Sequence, residues 1–92
     1  MTKMKTLIKG MCEEGINIAV FADWYSQYET NCEKCANLAH SGQTYIFSDA
    51  YKSLDRLYEN MIGFLWGLTT LNYITEETRS ICIHELINMQ NF

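Results

Sequence analysis

Cys32-Glu33-Lys34-Cys35 places two thiols three residues apart, the spacing at which cysteines can share a metal ion or exchange a disulfide. A redox pair of this kind works at a helix N-terminus, where the helix dipole lowers the thiol pKa, usually just after a strand. Here the pair falls in the middle of an apolar helical stripe with Tyr28 and Ala39, so thiol–disulfide exchange is not expected. The alternative is structural zinc. Cys12, Cys32, Cys35 and Cys82 all fall on expected inner faces, on three different helices, and could converge as four thiolates. His40 or His84 could replace one of them. Cys82 and His84, however, are two apart on one helix and cannot point the same way. The preferred expectation is reduced cysteine packing as a small hydrophobe, with no metal and no cofactor.

Other reactive groups are not arranged for catalysis. His40 lies near a helix C-terminus, where partial positive charge is favourable, and His84 is expected on the exposed side of the last helix. No serine or cysteine has a recognisable base partner, and no glycine-rich phosphate loop is present. Asp55 and Glu59 stand one turn apart with Arg56 between them, which describes a solvated helix face. The chain is therefore read as a non-enzyme.

Four amphipathic segments must position these residues. The first spans about 2–14, with Met4, Leu7, Ile8, Met11 and Cys12 at helical spacing and Gly15 as its left-handed cap. The second spans about 18–40, where Phe21, Tyr25, Tyr28, Cys32, Cys35 and Ala39 form one stripe, and Ser41-Gly42 ends it. The third spans about 47–72, with Ser48 or Thr44 as N-cap and Phe47, Tyr51, Leu54, Tyr58, Met61, Leu65 and Leu68 in the same rhythm. The fourth spans about 76–90, capped by Thr75, its first turn holding Glu76 and Glu77, its buried face formed by Cys82, Ile83, Leu86 and Met89. Proline, which breaks helix interiors, is absent. Short connections between such helices predict one all-α domain over 1–92, a compact bundle of three or four antiparallel helices. Strand is expected nowhere, with 15–21 and 43–47 the nearest to exceptions.

Composition narrows the function classes. Apolar residues make up 48% of the 92, enough for a core without disulfides or metal. The formal charge of −4 leaves no basic patch of the kind that displaces counterions from nucleic acid, so a helix-turn-helix DNA binder is disfavoured. The five acids Glu13, Glu14, Asp23, Glu29 and Glu33 lie in a stretch with no Lys or Arg before Lys34, a candidate acidic surface for a basic partner. The longest uncharged stretch, 60–75, is sixteen residues with several polar ones, short of the roughly 20 apolar residues of a membrane span. With no signal-peptide pattern after the basic opening, a cytoplasmic protein without membrane contact is expected.

The third segment departs from an ordinary surface helix. Its first half has a polar face of Ser48, Asp49, Lys52, Asp55, Arg56 and Glu59; at about 100° per residue that face continues into Ile62, Gly63, Trp66, Gly67 and Thr70. Either the N-terminal helix lies across this strip and makes it core, or the strip is an interface. The core reading is the preferred one.

Three functional classes follow. The first is a protein-binding module without chemistry of its own, motivated by the acidic balance and by Trp66, Tyr45, Tyr51, Tyr58 and Tyr73, residue types enriched at binding hot spots. In composition the chain resembles the small acidic helical inhibitors carried by phages and mobile elements, anti-CRISPR proteins among them. That resemblance implies inhibition of a bacterial protein machine such as a defence nuclease, and it transfers no residue role. The second is a self-associating structural or regulatory protein, a homodimer seamed at Gly63, Trp66 and Gly67. The third and weakest is a zinc-bound or nucleic-acid-binding domain.

Overall fold

Each helix starts and stops where local chemistry can satisfy its unpaired backbone groups. The computed structural model describes residues 2–92 and contains α1 (Lys3–Glu13), α2 (Ala19–His40), α3 (Asp49–Thr70) and α4 (Glu76–Asn88). Met1, counted in the single domain above, lies outside the described residues. The hydroxyls of Thr2, Ser48 and Thr75 accept from Lys5 N, Tyr51 N and Thr78 N at 3.1–3.2 Å, capping α1, α3 and α4. Three helices end in the same left-handed motif. Gly15 (φ 78°), Gly42 (φ 74°) and Asn72 (φ 63°) turn the chain back. The next amides, Ile16 N, Gln43 N and Tyr73 N, then donate to Met11 O, Leu38 O and Leu68 O at 2.9–3.0 Å.

The architecture is all-helical, with no strand among the described residues, and consists of four helices with antiparallel neighbours. α2 and α3 form the main pair, closed at one end by a stacked contact of Phe21 on Phe64 (centroids 4.6 Å apart). α4 runs back along α3, and the carboxy-terminal Phe92 meets Tyr45 of the α2–α3 loop edge-on at 5.1 Å. α1 packs against α4. The core joins Met4 and Met11 of α1 to Phe21, Tyr25, Tyr28, Cys32 and Cys35 of α2, Leu54, Leu57, Met61, Leu65 and Leu68 of α3, and Cys82 and Leu86 of α4.

Two hydrogen-bonded contacts tie helix ends to other helices. Both carboxylate oxygens of Glu85 accept from the first amides of α1, Lys3 N (2.8 Å) and Met4 N (3.0 Å), which have no partner within their own helix. The buried Tyr28 hydroxyl donates to Leu86 O (2.6 Å) in the last turn of α4, and accepts from the Gln90 side-chain amide (2.9 Å). α4 thus caps α1, and α2 caps α4.

Phe47 and Cys12, both assigned to the core by periodicity, lie outside it. Phe47 is 78% exposed, because a Tyr45–Ser48 turn and the Ser48 cap delay α3 to Asp49 and leave Phe47 ahead of the helix. Cys12 is exposed because α1 buries a narrow face, Met4 and Met11 fully and Leu7 and Ile8 in part, and Cys12 falls beyond its edge.

Candidate functional site

The thiols do not assemble into a site. Cys32, Cys35 and Cys82 are buried, but Cys12 faces solvent, so the four-thiolate arrangement loses a member. No group of three His, Cys, Asp or Glu side chains able to hold a metal occurs among the described residues. Burial pushes the thiols of Cys32 and Cys82 up to about 11 and raises that of Cys35, the reverse of what a thiolate nucleophile or ligand requires. The Cys32–Cys35 pair lies well inside α2, far from the positive end of that helix. His40 and His84 are both exposed.

The five acids are spread out. Glu13 and Glu14 end α1, while Asp23, Glu29 and Glu33 lie along α2. Glu29 pairs with Lys5 at 3.1 Å, and Asp23 accepts from the Gln27 amide at 2.6 Å. The first is neutralised and the second is engaged within its own helix, leaving Glu13, Glu14 and Glu33 as exposed charges with no ion pair among the described residues.

The 62–70 strip is not core. Gly63, Trp66, Gly67 and Thr70 are exposed and Ile62 is half-buried. A methyl group added at Gly63 or Gly67 would meet no atom within 4 Å. The expected cover is missing because α1 packs on α4 instead, held there by Glu85. Trp66 is 52% exposed, and the Arg79 guanidinium of α4 lies 3.6 Å from its ring centroid, a cation–π contact that fixes the indole. Ile62 of α3 and Ile83 of α4, one turn from Trp66 and Arg79 respectively, are each partly buried. On α4 the exposed Ile87 follows Arg79 and Ile83 on the same side of the helix, whereas the exposed Ile81, two residues from Arg79, points the other way. The result is a shallow apolar face on α3 and α4, with an indole and a guanidinium at one end and the Glu59 carboxylate two turns before Trp66 on the same line of α3.

Arg79, Ile81 and Ile87 were missed by sequence reasoning. Ile87 falls off the buried stripe of Cys82, Leu86 and Met89 on the side of Ile83, which was a usable signal of an apolar outer side. Arg79 had none, since its place beside Trp66 depends on how α4 folds back. Of the tyrosines expected at a binding surface, Tyr73 is exposed, whereas Tyr45, Tyr51 and Tyr58 are partly buried and Tyr45 packs edge-on to Tyr51 at 5.4 Å.

Two grooves complete the surface. One, about 610 Å³, lies between the C-terminal half of α2 and the start of α3, with Leu38 and Ala50 among polar residues such as Asn31, Lys34 and Asp49. The other, about 340 Å³, lies where α1 meets the 73–78 segment. The hydroxyls of Ser41, Ser48 and Ser53 in the first and of Thr6 in the second donate to backbone carbonyls, and none hydrogen-bonds to a carboxylate, lysine or histidine side chain among the described residues. Among the described residues, no helix is long and apolar enough to cross a membrane. No family model, curated protein or solved structure matches this chain.

Proposed function

We propose that this chain is a non-enzymatic protein-binding module that docks through the outer face of α3 and α4. The observation that carries the reading is Trp66, half exposed on the charge-free half of α3 and held in place by Arg79. An indole immobilised before binding loses little side-chain entropy on docking, and tryptophan and arginine are the residue types that dominate interface energies. Gly63 and Gly67 beside it allow a partner's backbone to come close. The buried, proton-holding thiols and the lack of a nucleophile–base pair support a role without chemistry. Inhibition of a bacterial protein machine, of the anti-CRISPR kind, is the narrower form of this proposal and rests on composition alone.

The test compares wild type with Trp66→Ala in capture from bacterial lysate. The half-exposed position predicts that Trp66→Ala keeps wild-type helicity by circular dichroism. A specific protein retained by wild type and lost from the folded variant supports the reading. Retention that is indifferent to Trp66, or no specific partner at all, counts against it.

A further inference from the structure

We infer that the α3–α4 face binds a second copy of this chain, as a two-fold homodimer in which Glu59 of each copy meets Arg79 of the other. The inference rests on the reading of this face as a protein-binding surface and names its occupant.

The face is complementary to itself. Along the exposed line of α3 the order is Glu59, Ile62, Gly63, Trp66, and Arg79 covers Trp66 from α4. A two-fold axis between Ile62 and Gly63, perpendicular to the helix, exchanges position 59 with position 66. The Glu59 carboxylate of one copy then arrives at the indole of the other, where the Arg79 guanidinium already lies. The same operation is repeated at the other end, so two identical ion pairs flank an apolar centre. Such mutual matching of one patch to itself is what an isologous dimer requires.

Three further observations fit this occupant. The one ion pair among the described residues is Lys5–Glu29, so Glu59 and Arg79 each lack an ionic partner among them. The centre of the face, Ile62 and Gly63, carries no charge, and Gly63 has open space where a side chain would otherwise hold two helices apart. The 55–70 segment lies within its own image under this axis, about 24 Å of helix at 1.5 Å per residue. Across two helices of roughly 10 Å each, that is on the order of 500 Å² per partner, below the roughly 800 Å² of a standard interface and in the range of weak, reversible contacts. A reversible dimer of roughly micromolar affinity is expected.

The experiment is sedimentation equilibrium of the full chain over a concentration series reaching the millimolar range, with circular dichroism confirming that each variant is folded. Wild type should pass reversibly from monomer to dimer. Glu59→Arg and Arg79→Glu should each weaken the dimer at least tenfold by opposing like charges, and the Glu59→Arg/Arg79→Glu double variant should recover most of that loss. A wild type that stays monomeric overturns the inference. So does a dimer that neither single variant weakens, or a double variant no better than the worse single one. A monomeric chain that still captures a Trp66-dependent protein overturns the dimer and leaves the protein-binding reading standing; one that does neither overturns both.

Discussion

Replacing Tyr28 by phenylalanine removes one oxygen and keeps the ring, so it isolates what the hydroxyl does. In the native chain that hydroxyl donates at 2.6 Å to Leu86 O, with both residues fully buried. Leu86 O lies in the last turn of α4, where the following amides go elsewhere: Met89 N to Glu85 O, Gln90 N to Ile87 O and Asn91 N to Asn88 O. Tyr28→Phe therefore leaves a buried carbonyl with no donor. Removing one partner of a buried hydrogen bond costs about 1–3 kcal/mol, more than the net worth of the bond itself, because the remaining group has lost water as well. The Gln90 amide also loses an acceptor, but it is only partly buried and can reach solvent, so it adds little. A loss of about 2 kcal/mol lowers Tm by roughly 8–16 °C in a domain of this size. Urea unfolding followed by circular dichroism would read the same loss as a lower midpoint with an unchanged slope. Gln90→Ala should cost less than Tyr28→Phe, and less again when made in the Tyr28→Phe background. A Tyr28→Phe change of under about 0.5 kcal/mol would refute the reasoning, for the carbonyl would then have another donor or be open to water.

Two other predictions concern helix ends and thiols. Glu85→Ala removes both acceptors of the first α1 amides; the expected cost is about 1–2 kcal/mol, as for loss of an N-cap. Hydrogen exchange at Lys3 N and Met4 N should accelerate in that variant, and unchanged rates would show that the carboxylate does not hold α1. At high pH the buried thiols act through linkage. Below pH 9.0 Cys32 and Cys82 are neutral in both folded and unfolded chains and contribute no pH dependence. Between 9.0 and about 11 the unfolded chain loses protons that the native chain keeps, so stability falls as pH rises. The full effect is about 2–3 kcal/mol per thiol. Denaturant midpoints across this window should fall, and they should fall less in a Cys32→Ala/Cys82→Ala variant; equal slopes would mean that these thiols titrate normally.

Much of the fold was legible residue by residue. Phe21, Tyr25, Tyr28, Cys32 and Cys35 repeat every three or four positions, and all five are buried on one face of α2. Gly15 and Ser41-Gly42 were readable as stops because glycine accepts positive φ without strain. The start of α3 was misplaced by two residues, since periodicity ranks Phe47 with the stripe while the Ser48 hydroxyl decides where the backbone turns helical. The surface was less legible. Apolar residues at 62–67 say that a helix side is not polar; they do not say whether anything lies upon it.

The linear sequence determined four amphipathic helices, the ends marked by Gly15, Gly42, Ser48 and Thr75, and a shared apolar interior, because these depend on side-chain spacing and on groups at most a few residues apart. The tertiary structure alone decided which helix covers which. Glu85 draws the start of α1 to α4, and with α1 placed there the outer face of α3 is left uncovered. Arg79 comes to lie over Trp66, thirteen positions earlier in the chain, only because α4 folds back along α3. Contacts between distant segments follow from how the helices share a limited volume, and no local pattern records that competition.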